Sequence, residues 1–330
     1  MEPVGRVVLV SGGVRVAVLS RGGIVQDWRV PLAGAEVPVV LGLADPAAYR
    51  GPCDYMGAIV GRVANRIGGA AYRQGGRRIS LLANDGAHQL HGGPDGLWSA
   101  PFQIDRDGDS GLVLTHVSPP GAGGFPGRVA LRIAMRLDGF RLTWDMRATP
   151  DEETPISLAQ HNYYALSPRL GDHRLRMAAA HRLDRDAQGI MTGRILPDTR
   201  LRAGLTLPST PRDPGTLDDF FVFDPARDPS APVAEVRAQT GLTLRMWSDQ
   251  PGAQVYTGQW MAPHPGGHPG RAPGPCAGFC IEPSGYPNAL NIPDFPSILH
   301  SPDRPYRQVL SVEIAPQDPS QGTSAPSAAV

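Results

Sequence analysis

Two residues of this chain combine a titratable side chain with a rigid, apolar setting. Glu282 follows Cys280 and Ile281 and precedes Pro283 in GFCIEPSGYP, so its carboxylate stands at the end of a short apolar strand. His161 lies in TPISLAQHNYYAL, residues 154–166, where Ile156 and Leu158 alternate with small or polar residues before Gln160, His161 and Asn162. Such alternation, with Tyr163 and Tyr164 following, predicts a half-buried strand. A strand is a rigid base from which to aim an imidazole into a cleft. A carboxylate placed like Glu282 is either ion-paired with an arginine or a general base whose surroundings raise its pKa. The imidazole is either a core histidine bonded to a backbone carbonyl or an acid–base group.

Other polar residues interrupt or end apolar runs, where an unpaired polar group costs stability. Asn65 and Arg66 near the end of GAIVGRVANRI form a donor set suited to hydroxyls or an anion. His91 stands between Leu90 and Gly92-Gly93, where a tight turn lets a ligand approach closely. Asp218 and Asp219 precede FFVF, and Gln254 sits inside AQVYTG. His264 and His268 share a Pro/Gly-rich loop, but no carboxylate or third histidine is placed nearby, so no metal site is expected there.

Composition narrows the chemistry. All 31 basic residues are arginine, balanced by 31 acidic residues without an extended run of either sign. The absence of lysine excludes a Schiff-base lysine, a pyridoxal-phosphate anchor and a phosphate-loop lysine. Balanced charge argues against nucleic acid or an anionic membrane as partner. Cys53, Cys276 and Cys280 are too few for a disulfide framework, and no second cysteine pair completes a zinc site. No apolar run is long enough to span a bilayer, and the N-terminus lacks the pattern of a secretion signal. A soluble, cytoplasmic protein is expected.

The elements that must position these residues are short and extended. RVVLV, VRVAVLS and IVQDWRV are separated by Gly-Gly pairs at 12–13 and 22–23, the punctuation of hairpins. RVALRIAMRL and FRLTWDMRA alternate strongly, and LTLRMWSD and YRQVLSVEIA continue the pattern, whereas residues 168–216 are less regular. No helix of convincing length and no internal repeat is visible. With Gly 40, Pro 35 and 41% hydrophobic residues, the reading is all-β. One large antiparallel β-sandwich is expected over residues 1–315, followed by a disordered tail over 316–330.

Seven pieces then occur in a telling order: GAIVGRVANRI, the segment from Asn84 to LHGG, GGFPG, TPISLAQHNYYAL, LDDFFVF, QVYTG and GFCIEPSGYPNA. Together they resemble the aldose 1-epimerases (galactose mutarotases) over essentially the whole chain apart from the tail. The resemblance implies a sandwich with an open sugar-binding cleft across one face, and neither metal nor cofactor. His161 then corresponds to the general acid and Glu282 to the general base. Arg66, His91, Asp218 and Gln254 fall where sugar hydroxyls and ring oxygen are held, with Asn65 alongside. Asp218 fits the Asp-x-x-Phe spacing that ends at Phe221, and Asp219 is the alternative. The implied partner is a free aldose such as galactose or glucose, acted on by a monomer or homodimer.

The chain departs from the family pattern near these residues. It has Pro283-Ser284 in place of Thr-Gln, Asn288 in place of Asp, and Ala165 and Gln259 where asparagines are usual. These positions bear on sugar preference more than on chemistry. Three competing readings stand beside a hexose epimerase. One is a non-catalytic sugar-binding relative. The second is an epimerase of a pentose or sugar phosphate, the phosphate calling for clustered arginines. The third is a glycoside hydrolase or lyase on a similar sandwich, a hydrolase usually needing two carboxylates flanking the bond.

Overall fold

The alternation in RVALRIAMRL and FRLTWDMRA produces two ten-residue strands, Val129–Asp138 and Arg141–Pro150, that bury every second side chain. Gly139, with φ at +54°, makes the turn between them. In the computed structural model, which describes residues 4–49 and 55–317, both belong to a nine-stranded antiparallel sheet. Four hairpin-connected strands run in order on one side: Gln103–Asp107, Gly111–Ser118, Val129–Asp138 and Arg141–Pro150. Leu242–Ser248, Ala234–Ala238, His173–Met177 and Leu205–Thr206 make up the other side. Tyr306–Pro316 joins the halves, pairing with Arg141–Pro150 along one edge and Leu242–Ser248 along the other.

Two smaller sheets bury a face against the same core. Arg6–Ser11, Val14–Leu19, Val25–Leu32 and Ala35–Pro38 form one. The second has the order Met191–Pro197, Ala179–Arg185, Asp218–Phe223, Gly252–Tyr256 and Cys280–Ser284. Trp28 meets Trp144 with ring centroids 6.4 Å apart, while Phe221, Val255 and Ile281 enter the core from the five-stranded sheet. The expected all-β sandwich is therefore present. Its irregular stretch, 168–216, supplies four strands and a four-residue helix, Arg200–Ala203. Among the described residues no helix is long and apolar enough to cross a membrane. The last strand runs to Pro316, one residue past the expected boundary. Residues 318–330 of the expected tail lie outside the described residues, as does Cys53.

One expectation fails. The segment 154–166 is not a half-buried strand, because every residue in it is buried. It forms two-residue ladders where Thr154–Pro155 meets Leu299–His300 and where Ala159–Gln160 meets Ile59–Val60, with single bridges from Ser157 to Val63 and from Tyr164 to Val40 and Phe279. Pro155 lacks a ladder donor, and the Gln160 side-chain amide donates to the distant Gly57 O while accepting from the nearby Asn162 N–H. Loops clasp the segment instead: Ser157 N–H donates to Arg62 O, His161 N–H to Ala58 O and Tyr164 N–H to Phe279 O. The imidazole is thus held by packing on both sides.

Arg62, four residues before Arg66, anchors one of those loops. Its guanidinium donates to Ser118 Oγ and to the carbonyls of Ser118, Pro119, Pro126 and Gly127. Burial draws its pKa down to about 10, so it stays charged at neutral pH. Of the two arginines in GRVANRI, one is structural and one faces the cleft.

Candidate active site

The five-stranded sheet sets three side chains by register. Gln254 lies directly opposite both Phe220 and Glu282 on the flanking strands, and Asp218 is two residues from Phe220. Directly opposed residues share a face, and so do residues two apart. Asp218, Gln254 and Glu282 therefore point to one side, away from Phe221, Val255 and Ile281. Asp219 points to the other, where Arg185 Nε donates to it at 3.2 Å. By this parity Asp218, and not Asp219, lines the cleft.

A second support faces them. Arg66-Ile67 pairs with Gln89-Leu90, and the residues bounding this ladder, Asn65 and His91, have φ of +63° and +53°. Left-handed backbone is costly for residues with side chains and marks places the fold over-determines. Here it turns both side chains into the cleft. Asn65 Nδ2 donates to Gln254 Oε1 at 3.0 Å, and Gln254 Nε2 donates to Asp218 Oδ1 at 2.7 Å. Asn65 N–H donates to His91 Nδ1 at 3.2 Å. Burial, then the neighbouring His161 and Arg66, hold the His91 pKa well below its usual value. His91 is thus a neutral ring with its proton on Nε2, a fixed donor. Arg66 Nε donates to Asp85 at 2.7 Å rather than to Glu282, although its charge still acts on the Glu282 carboxyl.

His161 and Glu282 meet at the floor. His161 Nε2 is 3.5 Å from Glu282 Oε1, and the two residues are 4% and 3% exposed. Burial lowers the His161 pKa to about 4 and raises that of Glu282 well above the usual range, with the Asp218 charge adding to the rise. Behind the imidazole, Cys280 Sγ lies 3.6 Å from Nδ1. His91, His161 and Glu282 also bring three potential ligand atoms within 4.8 Å of one another, a grouping that can take a divalent cation. His264 and His268 are used elsewhere: His264 Nδ1 accepts from Gly266 N–H, and His268 Nε2 bonds Gln26 O at 2.9 Å.

The cavity has a volume of about 180 Å³ and brings together all seven residues singled out from the sequence. It also has walls that sequence reasoning missed, Tyr55, Leu90, Tyr163 and Tyr256, with Trp260 at its mouth. Tyr256 had a signal, since it stands two residues from Gln254 on the same strand face. The departures from the family pattern do not line the cavity. Asn288 accepts from Gly68 N–H and braces the Arg66 hairpin from outside, and Gln259 Oε1 accepts from Thr257 Oγ1.

The β-sandwich thus carries a buried imidazole–carboxylate pair at the floor of a small cleft lined by polar and aromatic side chains. The family model described as aldose 1-epimerase matches residues 5–313. The galactose mutarotase of Sus scrofa is 32% identical over 313 residues, 90% of each chain. The aldose 1-epimerase of Escherichia coli is 29% identical over 302 residues, 87% of each. The crystal structure of an aldose epimerase homologue from C. elegans has a TM-score of 0.89 at 22% identity, covering 96% of this chain and 100% of that one. Galactose 1-epimerase from Lactobacillus acidophilus has a TM-score of 0.80 at 21% identity, covering 93% and 92%. The chain belongs to the aldose 1-epimerase family and is an isomerase of the epimerase class.

Proposed function

We propose that this protein interconverts the α and β anomers of a free aldose, with galactose and glucose the first candidates. Glu282 is the base on the C1 hydroxyl and His161 the acid on the ring oxygen. The observation that carries this reading is the buried His161–Glu282 pair, 3.5 Å apart beneath Asn65, Arg66, His91, Asp218 and Gln254.

The proton count of the cycle balances. In the reactive form the pair's shared proton sits on His161, giving imidazolium and carboxylate, the arrangement that burial disfavours at rest. Glu282 takes the C1 hydroxyl proton, His161 gives its proton to the ring oxygen, and the C1–O5 bond breaks to leave an aldehyde. The pair is then a neutral carboxylic acid beside a neutral imidazole. Burial favours those neutral forms, since it raises the Glu282 pKa and lowers that of His161. The same groups therefore stabilise the ring-opened state. Rotation about C1–C2 and return of both protons closes the ring on the other face.

The cleft lining supports a neutral sugar over a sugar phosphate, for it carries one arginine, Arg66, against the carboxylates of Asp218 and Glu282. It also favours epimerase over hydrolase, because Asp218 already accepts from the Gln254 amide and is oriented as a binding group.

Polarimetry of freshly dissolved α-D-galactose and α-D-glucose tests the proposal. Wild-type protein should accelerate mutarotation, and His161→Asn and Glu282→Gln should each lower turnover about 10²–10⁴-fold. Near-normal turnover in either folded variant would refute its assigned role. Sugar-dependent thermal protection without any acceleration would instead identify a binding protein.

A further inference from the structure

The inner face of Tyr306–Pro316 reads Tyr306, Gln308, Leu310, Val312 and Ile314, all of them buried. Gln308 is wholly shut off from solvent on a face that continues as three aliphatic residues. An amide side chain there costs stability unless both its ends are bonded, and both are. Leu158 N–H donates to Tyr306 Oη at 3.1 Å, Tyr306 O–H donates to Gln308 Oε1, and Gln308 Nε2 donates to Pro283 O at 2.9 Å. Burial holds the Tyr306 pKa above its usual value, so the phenol keeps the proton that it donates. Each group passes its hydrogen bond onward in the same direction. A fully satisfied buried chain of this kind rigidifies what it joins.

What it joins are the two segments that carry His161 and Glu282. Leu158 lies three residues before His161, and Pro283 directly follows Glu282. Cys280–Ser284 is the last strand of its sheet, so no further strand of that sheet fixes its outer side. Pro283, which has no N–H, suits such an edge and leaves its carbonyl as the group that needs a partner. The two segments also meet where Tyr164 bridges Phe279 and where Gly285 N–H donates to Ser157 Oγ at 3.0 Å, but those contacts lie three or four residues from His161 and Glu282. We propose, building on the epimerase reading above, that Tyr306 and Gln308 are positioning residues for the acid–base pair. Through them the central strand of the large sheet sets the separation of His161 and Glu282. Neither side chain lines the cavity, so both act through the backbone of the residues that do. The sugar-binding side chains are held by other bonds: Asn65, Gln254 and Asp218 bond one another, and Arg66 bonds Asp85.

The test measures kcat and KM for α-D-galactose and α-D-glucose in wild type, Gln308→Leu, Tyr306→Phe, the double variant and Val312→Ala, with crystal structures of the wild type and the single variants. Gln308→Leu should lower kcat about 10- to 100-fold, the scale of a misplacement of up to an ångström between reacting groups. Its KM should stay within about twofold of wild type, since the binding groups are untouched. Tyr306→Phe, a milder change that keeps the ring and serves if Gln308→Leu does not fold, should lower kcat in the same way. The double variant should lose no more than Gln308→Leu, because both residues belong to one chain of bonds. Val312→Ala, on the same buried face, should lower stability and leave the kcat of the folded fraction unchanged. The His161 Nε2 to Glu282 Oε1 separation should be longer in Gln308→Leu than in wild type. Wild-type kcat in the folded single variants, a KM rise matching the kcat loss, an equal kcat loss in Val312→Ala, or an unchanged separation would overturn the positioning role. Absence of turnover in wild type with either sugar would defeat the epimerase reading alone, and the measured separation would then decide the role of Tyr306 and Gln308.

Discussion

His161 and Glu282 are pushed in opposite directions by the same burial, and this sets how activity must respond to pH. In the proposed cycle the working pair shares one proton. Below about pH 4 His161 becomes protonated whatever the state of Glu282, so the carboxyl holds its own proton and no base remains. At high pH the shared proton is lost and no acid remains, a limit that the raised pKa of Glu282 moves upward. The values belong to the pair, not to either residue. The kcat/KM for mutarotation should therefore be flat through neutrality, fall as pH drops through about 4, and fall again on the alkaline side. Polarimetric rates at constant ionic strength check this, and a profile that rises steadily through neutrality would contradict the assignment. The residues of this site were legible because they are polar interruptions of apolar runs. Tyr55, Tyr163 and Tyr256 were not, because a tyrosine in an apolar run reads equally well as core.

At the scale of elements, the cleft depends on backbone that propensity disfavours. Among the described residues, Tyr55, Asn65 and His91 are three of the seven non-glycine residues with positive φ, and all three line the cavity. Each such residue stores about 1–3 kcal/mol. Gly92 continues the His91 turn at φ +86°, and a Cβ there would lie 1.9 Å from Gly61 O. Gly92→Ala should thus lower stability by about 2 kcal/mol or more. It should also cut turnover at least as deeply as it cuts the folded fraction, since His91 moves with the turn. Denaturant titration beside polarimetry measures both. The strained positions could not be read from local sequence, because distant backbone imposes them. The same cause misled the reading of 154–166: its alternation predicts one solvent-facing side, but the 57–64 loop and Phe279 cover both. Strands such as Val129–Asp138, whose outer face does meet water, obey the pattern and were legible throughout.

At the scale of the molecule, burial of histidines governs acid sensitivity. His91, His116, His161, His173 and His300 are all held below the usual 6.5, chiefly by desolvation. Unfolding frees them to bind protons, so their contribution is complete above pH 6.5 and lost as pH falls toward their folded values. Glu282 acts in the opposite sense, its contribution being complete below pH 4.5 and lost as pH rises through its raised folded value. Five groups oppose one in the interval between 4.5 and 6.5. The Tm should decline steadily as pH is lowered across it, measurable by calorimetry, and a Tm that rises on acidification would show that Glu282 prevails.

The strand Tyr306–Pro316, central to the large sheet, is also the last described strand of the chain. During synthesis, every residue that lines the cleft emerges from the ribosome before this strand does. Until it arrives, Arg141–Pro150 and Leu242–Ser248 each present an open edge of unpaired backbone groups. A nascent chain of this protein therefore carries every cleft residue while its large sheet is still open along its middle, and Tyr306–Pro316 closes the seam.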